Sequence, residues 1–468
     1  MKHLVIEVST SSVKLMLKDS ITGETRISIY PFRDISANGG TMDVNILTAG
    51  LRESVHSFCP GDYDAVSIVT TWHNLMVTDE NMVPVSPLYL WNYTGAGDIA
   101  EELKKDSSFS QNFYSVTGCQ ISSTYPFFKM MKLMREGEYV TPSKRYLFMG
   151  YGSYLNYMLT GRFVTTPSLP SGSGLMDNEK CSYSSWLLDL LGISEGQLPH
   201  VEDSMSFGIT GGENCRMLGV REGIPLIYAI PDGASNQLGS KAFSKGIMTL
   251  SVGTSGAMRL HVEERLRDIG SGLWCYRSPA GILAGAATSG ACNCTEWFRN
   301  TYFDETPSFE WLDSLQDSDV PVFLPFIFGE RSPRWRAAPP SGFRELDEKT
   351  DKRAMYEAVQ RSILYNLYEC FERMISACGD PEEIRLSGGI SNSRKWTQMC
   401  ADIFGHELLL EDTRNASVEG AYNLMRMILE GKDIKAEERP SSVPIYPDMK
   451  MHYVYMKDME RYRRYVEE

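Results

Sequence analysis

Several features of membrane-bound, secreted and nucleic-acid-binding proteins are missing from this sequence. It has no apolar run long enough to cross a membrane, and Glu7 interrupts the short apolar stretch near its start. Positive charge is scarce, since 46 Lys and Arg stand against 60 Asp and Glu, for a formal net charge of -14. A protein of that sign repels nucleic acid and acidic lipid. We therefore expect a cytoplasmic protein with neither a membrane nor a nucleic-acid partner.

Common metal and cofactor motifs are also absent. Of the 10 cysteines only Cys292 and Cys294 lie close together, without a second pair at the spacing of a zinc site, and the 7 histidines form no HExxH pair. There is no GxxxxGK[ST] phosphate loop, no GxGxxG dinucleotide motif and no GxSxG nucleophile motif. These absences argue against a bound transition metal, a P-loop, a dinucleotide fold and a nucleophile-elbow hydrolase.

The sequence does contain the same local pattern twice. Residues 4–8 and 13–17 read as two strands around the polar turn 9–12, and residues 247–252 and 257–260 read as two strands around the turn 253–256. With 468 residues, of which 42% are hydrophobic, the chain is long enough for two or three domains. We therefore predict an internal duplication and two related α/β domains.

Two helices are predicted in the second half. Apolar residues at spacings of three or four, from Met355 to Met374, indicate one long core helix. A second helix is expected between Asn415 and Gly431, with Ser417 as its N-cap and Gly431 as its end.

Two kinds of candidate chemistry stand out. Turns rich in Ser, Thr and Gly expose backbone N–H groups and hydroxyls, which suit the oxygens of a polyphosphate, although the same residues are common in ordinary turns. Asp232 follows an apolar run and precedes Gly233. Its carboxylate could accept a proton from a substrate hydroxyl during phosphoryl transfer, but Asp-Gly is also an ordinary turn dipeptide.

These segments resemble the FGGY family of carbohydrate kinases, within the actin-like and ribonuclease-H-like ATPase superfamily. The most specific matches are residues 231–239, residues 250–259 and residues 323–335, and the resemblance extends over nearly the whole chain. It implies an α/β fold of two ribonuclease-H-like domains around a central cleft. Residues 1–243 would form the N-terminal sugar-binding domain and residues 244–468 the C-terminal nucleotide-binding domain.

The resemblance also implies an activity. The protein would be an ATP-dependent carbohydrate kinase that uses Mg²⁺, with Asp232 as the general base for the accepting hydroxyl. The segments around His73, Trp274 and Gly329 are most similar to gluconate kinases, and next to xylulose kinases. Gluconate is therefore the first expected substrate, followed by xylulose or another pentulose or polyol, and a homodimer is expected by resemblance alone.

The family's functional residues transfer to this chain position by position. On the sugar side the resemblance assigns Trp72, His73 and Asp232, and near the metal it assigns Glu7. For the phosphates of ATP it assigns a first turn with Ser11, Ser12 and Lys14, and a second turn with Gly253, Thr254, Ser255 and Gly256. For the adenosine of ATP it assigns Gly388, Gly389 and Ser393. Glu330 and Arg331 match a family hallmark for which we expect a structural role.

The chain departs from the family pattern at several of these places. Glu7 replaces an aspartate, Ser9 replaces a turn glycine, and Cys292 falls where a glycine is usual. The sugar-side pattern W-x-D-x-R corresponds to residues 91–95, where Tyr93 replaces the aspartate and Gly95 replaces the arginine. Two alternatives therefore stay open beside an active kinase, namely a pseudokinase-like regulatory protein that binds nucleotide or sugar, and an actin-like or chaperone-like ATPase.

Overall fold

The computed structural model describes residues 1–32, 39–139, 145–304, 307, 320–411, 415–434 and 441–468. Every predicted site residue lies within these ranges. In the part of the chain so described, no helix combines the length and the apolar composition that a membrane span requires.

A six-stranded sheet forms the centre of the N-terminal half. Its strands lie in the order Phe207–Ile209, Pro225–Pro231, Ala65–Thr70, Lys2–Val8, Ser12–Asp19 and Thr25–Pro31. The predicted first hairpin is present, with Val8 opposite Val13 across the turn. Three neighbouring strands are parallel, and their registers align Val8 with Thr70 and Thr70 with Pro231. The ends of these strands, and Asp232 after the last of them, therefore meet at one edge of the sheet.

The C-terminal half repeats this topology in a seven-stranded sheet. Its strands lie in the order Trp274–Ser278, Gly281–Thr288, Gly256–Val262, Ile247–Val252, Glu383–Ser387, Leu408–Glu411 and Ser442–Ile445. In both halves three adjacent antiparallel strands lie beside two parallel ones, and in the second half Trp274–Ser278 adds a further antiparallel strand at the edge, next to Gly281–Thr288. The predicted internal duplication and the ribonuclease-H-like topology are confirmed.

Helices cover both sheets. Among the described residues, the α-helices are Val44–Phe58, Gly97–Lys104, Ser107–Thr117, Pro126–Arg135, Tyr151–Thr160, Ser185–Leu191, Glu213–Met217, Asp232–Gly239, Cys292–Tyr302, Lys352–Cys378, Arg394–Phe404, Ala416–Glu430 and Met449–Glu467. Short 3₁₀ turns are Pro170–Gly172, Glu195–Gln197, Ile269–Ser271 and Gly389–Asn392. Small two-stranded pairs are Thr41–Met42 with Leu88–Tyr89, Met76–Asp79 with Tyr146–Met149, Val164–Thr165 with His200–Val201, Met176–Asp177 with Ser182–Tyr183, and Val322–Leu324 with Gly342–Arg344.

Both predicted helices of the second half are present, with one correction. Lys352–Cys378 begins after Asp351, whose side chain accepts from two backbone N–H groups, and buries the predicted apolar residues. Ala416–Glu430 ends at Gly431 in the left-handed conformation, as expected. Ser417 is not its N-cap, since Asn415 precedes the helix and Ser417 lies inside the first turn.

One helix of the C-terminal half packs on the N-terminal sheet. Val418 and Met425 of Ala416–Glu430 are buried in the same apolar cluster as Val5 and Val69. This helix also crosses Asp232–Gly239 in direct backbone contact, because a Cβ on Gly420 would lie 1.8 Å from the Ser235 carbonyl oxygen. The start of the helix that carries Asp232 is thus fixed against both halves of the chain. The boundary between residues 243 and 244 stays a prediction.

Candidate active site

Asp232 is the first residue of its helix, directly after the buried strand Pro225–Pro231. Gly233 follows it in a crowded place, since a Cβ there would lie 3.1 Å from the Trp72 ring and 3.2 Å from Nε of Arg259. The backbone N–H of Gly233 donates to Oδ1 of Asp232 at 2.7 Å. The Asp-Gly pair therefore lets an aromatic ring and a guanidinium pack beside the carboxylate.

The surroundings of Asp232 make it more basic than an ordinary carboxylate. Burial raises its pKa, and the negative charge of Glu7 acts in the same direction. The guanidinium of Arg259 and the N–H of Gly233 oppose this rise in pKa without cancelling it. A carboxylate of raised pKa is a stronger proton acceptor at any pH where it is ionised.

A cavity of about 170 Å³ opens beside Asp232. It is lined by residues of both halves, namely Trp72, His73, Trp91, Thr124, Asp232, Ser255, Ala257, Arg259, Trp274, Tyr276, Ala287, Arg331 and Trp335. Four of the predicted site residues therefore share one cavity: Trp72, His73 and Asp232 from the sugar-side and catalytic predictions, and Ser255 from the predicted phosphate turn.

Aromatic rings form much of the cavity wall. The rings of Trp72 and His73 stack at 5.7 Å and 11°, and those of Trp274 and Tyr276 stack at 4.4 Å and 9°. A ring nitrogen of His73 lies 2.7 Å from the Gly172 carbonyl oxygen, and burial lowers the pKa of His73 to about 3. His73 is therefore neutral near pH 7 and contributes a flat surface and hydrogen bonding instead of charge.

Lys129 joins the two loops that carry the sugar-side aromatic residues. Its side chain is fully buried, and its ammonium donates to the carbonyl oxygens of His73 and Leu90, both at 2.7 Å. Burial lowers the pKa of Lys129 well below its ordinary value. Because Leu90 directly precedes Trp91, one buried side chain fixes the positions of both His73 and Trp91.

Two arginines of the cavity were missed as substrate-side residues by the sequence analysis. Arg259 was noted only as the end of a motif, and Arg331 was expected to be structural. Alternation along a strand could have found Arg259, since Ser255, Ala257 and Arg259 point to the same side and all line the cavity. The structural role expected of the hallmark fits Glu330, which forms ion pairs with Arg334 and Arg336.

The second predicted phosphate turn is held by its neighbours while its tip stays open. The N–H of Cys292 donates to the Gly253 carbonyl at 2.8 Å, and the N–H of Asn293 donates to the Thr254 carbonyl at 3.2 Å. Thr254 is exposed, and a Cβ on Gly253 would have no neighbour closer than 3.9 Å. Gly256 begins the next strand, where a Cβ would lie 2.5 Å from Oγ1 of Thr288.

The predicted adenosine-side residues adjoin this turn. Gly388 has φ 100°, and a Cβ there would lie 2.5 Å from the Val252 carbonyl oxygen, so only glycine fits without strain. A Cβ on Gly389 would lie 2.9 Å from Sγ of Cys292. Ser393 is buried and accepts from the Trp396 N–H at 3.1 Å as the cap of the helix Arg394–Phe404. Roles for these residues in binding ATP stay predictions.

The first predicted phosphate turn differs from the second because its own side chains use its donors. The hydroxyl oxygen of Ser9 accepts from the N–H of Ser11 at 3.3 Å and of Ser12 at 3.0 Å. The same hydroxyl donates to the Ser12 carbonyl at 2.9 Å. The backbone N–H groups expected to contact phosphate are thus already hydrogen-bonded.

Glu7 and Lys14 lie beside this first turn. Oε2 of Glu7 accepts from the hydroxyl of Ser417 at 2.7 Å and lies 3.5 Å from Nζ of Lys14. Ser417 belongs to the helix that packs on both halves, so Glu7 connects the first hairpin to that helix. The side chain that was expected to cap a helix instead orients the predicted metal ligand.

Tyr93 and Gly95 reshape the sugar-side loop. A Cβ on Gly95 would lie 2.2 Å from the hydroxyl oxygen of Tyr93, so the tyrosine ring occupies the space of a side chain at position 95. A second cavity of about 130 Å³ lies beside Tyr93 and shares Trp91 and Arg331 with the first. An aromatic ring and a cavity therefore lie where the family pattern has a charged pair.

Comparisons with known proteins agree with this geometry. The pattern described as "FGGY family of carbohydrate kinases, N-terminal domain" matches residues 45–239, and the C-terminal domain of the same family matches residues 248–425. The chain belongs to the FGGY family of carbohydrate kinases. It is a sugar-phosphorylating phosphotransferase with ATP as phosphoryl donor, and the predicted family and enzyme class are confirmed.

Individual relatives include gluconokinases and xylulose kinases. A gluconokinase of Bacillus licheniformis is 26% identical over 375 residues, which cover 76% of this chain and 72% of the relative. A xylulose kinase of Staphylococcus xylosus is 25% identical over 436 residues, 90% of each chain. Among FGGY kinases of known structure, gluconate kinase from Lactobacillus acidophilus superposes with a TM-score of 0.90 at 23% identity, covering 99% of this chain and 97% of that one. This last likeness confirms the two-domain α/β fold.

Proposed function

We propose that this kinase transfers the γ-phosphoryl group of ATP to a hydroxyl of a sugar acid, with gluconate as the first candidate and Asp232 as the general base. The observation that carries the proposal is the shared cavity, whose lining includes Asp232, Ser255 of the second predicted phosphate turn and the predicted sugar-side residues Trp72 and His73. The gluconokinase and gluconate kinase relatives support the choice of gluconate. Xylulose or another pentulose or polyol is the second candidate, in line with the xylulose kinase relatives.

The chemistry assigned to Asp232 is a single proton transfer. Its carboxylate accepts the proton of the accepting hydroxyl while that oxygen forms a bond to the γ-phosphorus and the bond to the β-phosphate oxygen breaks, which releases ADP. The proton then passes from Asp232 to water. The aromatic walls contributed by Trp72 and Trp274 exclude water from the acceptor and favour transfer to sugar over hydrolysis.

Beside the first turn, Glu7 is the residue that would contact a divalent cation that accompanies ATP, with Nζ of Lys14 lying 3.5 Å from its Oε2. Glu7 offers a carboxylate oxygen, the ligand type that Mg²⁺ prefers, and hydrogen bonding to Ser417 orients it. Bound there, Mg²⁺ would neutralise charge on the β- and γ-phosphates. Residues 1–243 would supply the sugar-side residues Trp72, His73 and Asp232, the second half would add the walls around Trp274, and residues 244–468 would supply most of the ATP site. A homodimer in the cytoplasm stays a prediction.

The test is ADP release with MgATP across aldonates, ketoses and polyols, in a coupled assay. We expect the wild type to respond to an aldonate first. Asp232→Asn should lower kcat by at least about 10²-fold while the Kd for ATP changes less than about twofold, because it removes the base and keeps the shape. Asp62→Asn is the matched control, since its carboxylate is 99% exposed on the surface.

Two results would count against the proposal. Near-wild-type turnover by Asp232→Asn would show that another group takes the proton. ATP binding without turnover on any compound of the panel would favour the regulatory alternative over a sugar-acid kinase.

A further inference from the structure

The cavity beside Asp232 contains more positive than negative charge. Within the described ranges, neither Arg259 nor Arg331 has a carboxylate within ion-pair distance, and the Nε atom of each is buried without a hydrogen-bond acceptor. Asp232 attracts Arg259 electrostatically, and it is the one carboxylate that lines the cavity. His73 is neutral at physiological pH. Two cations therefore share one anion.

Holding these two guanidinium groups together costs free energy. Burial is the main cause that lowers the pKa of Arg331 to about 10; Tyr125, Tyr276 and Asp232 oppose it, and the positive charge of Arg259 acts with it. Burial likewise lowers the pKa of Arg259. Partly buried cations that repel each other and share a single counter-charge are stabilised when a further anion enters between them. The cavity is thus built for a ligand that carries negative charge.

The position of the two arginines indicates which ligand supplies that charge. The Arg331 guanidinium lies over the ring of Trp91, 4.8 Å from its centroid, and donates to the Thr288 carbonyl at 2.8 Å. Arg259 packs against Gly233, next to Trp72. Both arginines therefore lie among the sugar-side aromatic residues. Of the second predicted phosphate turn, Ser255 lines this cavity, whereas Thr254 at the exposed tip does not. A charge on the sugar fits this place better than the γ-phosphate of ATP.

We infer that Arg259 and Arg331 bind the carboxylate of the acceptor and so select an aldonate over the neutral alditol of the same length. This inference rests on the proposed function and adds the residues that determine its substrate class. A guanidinium recognises a carboxylate through paired charge-assisted hydrogen bonds, which are stronger than bonds to a neutral hydroxyl. An alditol would leave the two cations with Asp232 as their one shared anion, a mismatch that buried polar sites reject strongly.

The experiment compares binding of matched acids and alcohols in the absence of ATP. The two pairs are gluconate with glucitol and xylonate with xylitol. In each pair the acid has a carboxylate where the alcohol has a hydroxymethyl group. Binding is followed by calorimetry and by quenching of tryptophan fluorescence, since Trp72, Trp91, Trp274 and Trp335 line the cavity. We expect the wild type to bind at least one aldonate about 10²-fold more tightly than its alditol.

Variants assign this preference to the two arginines. Arg259→Gln and Arg331→Gln should each reduce the acid-to-alcohol preference at least about tenfold by weakening aldonate binding, with little change for the alditol. Arg259→Lys and Arg331→Lys, which keep the charge, should retain part of the preference and also guard against a folding defect. Arg267→Gln is the matched control, because Arg267 is 58% exposed and pairs with Glu179 outside the cavity. It should keep the wild-type preference.

Three outcomes would overturn the inference: alditols that bind as tightly as their aldonates, no binding of any aldonate, or a glutamine variant that weakens ATP binding and leaves aldonate binding unchanged. The last would assign the guanidinium to the phosphate. Selective aldonate binding without ADP release would instead support the carboxylate site and count against the proposed reaction.

Discussion

We predict that Ser9 limits how well the first predicted phosphate turn can hold ATP. Its hydroxyl accepts from the N–H groups of Ser11 and Ser12 at 3.3 and 3.0 Å. A phosphate that needs these donors must first displace Ser9. Replacing Ser9 by glycine, the residue that occupies the matching place in the second turn at Gly253, frees both N–H groups. We therefore predict that Ser9→Gly binds ATP more tightly than the wild type.

The size of the effect follows from the two hydrogen bonds. Each contributes about 1 kcal/mol net, so displacing both costs about 2 kcal/mol. Glycine also makes the turn more flexible before ATP binds, and ordering it on binding offsets roughly 1 kcal/mol of the gain in binding free energy. The remaining advantage of about 1 kcal/mol corresponds to roughly a fivefold lower Kd for ATP.

The assay is ATP binding by calorimetry, together with KM for ATP at saturating sugar, for Ser9→Gly and Ser9→Ala. Alanine removes the hydroxyl but keeps the Cβ, so it separates hydrogen bonding from steric hindrance. Tighter binding in both variants would assign the effect to the hydroxyl, and tighter binding in glycine alone would assign it to the Cβ. An ATP affinity that is unchanged or lower in both folded variants would refute the reasoning.

Two further predictions concern the base and its helix. Because burial raises the pKa of Asp232 and the base must be unprotonated, kcat/KM should fall on acidification at a pH above the ordinary carboxyl range. Arg259→Gln should move this acidic limb of the pH–rate profile to higher pH, because it removes the cation that lowers the pKa of Asp232. A pH–rate profile with the limb at an ordinary carboxyl pKa in both proteins would contradict this. Gly420→Ala should destabilise the protein by about 1–3 kcal/mol, since its Cβ would lie 1.8 Å from the Ser235 carbonyl oxygen. Thermal unfolding should show a lower Tm than for Gly97→Ala, where a Cβ meets no atom within 4 Å, and equal Tm values would show that the two helices separate at little cost.

Much of the fold could be read from local patterns. The strands of each hairpin alternate around a polar turn, and the helix Lys352–Cys378 follows from apolar spacing alone. Both patterns depend on neighbours within a few residues, so the sequence contains them directly. The repeat of the hairpin also predicted the duplicated sheet. Ser417 shows where local rules fail, because its hydroxyl is used by Glu7 from the other half of the chain and not by its own helix.

The candidate site likewise has features that the sequence predicts and features that depend on tertiary contacts. By itself the sequence determined the family, the turn residues around Thr254 and the candidate base Asp232, since these lie in short contiguous motifs. Only the tertiary structure decided that Arg259 and Arg331 share a cavity without a carboxylate partner of their own, and that Ser9 occupies the donors of its turn. Charge and hydrogen bonding act through space, across strands and loops that are distant in the chain. Their balance is therefore set when the two halves pack together around the cavity.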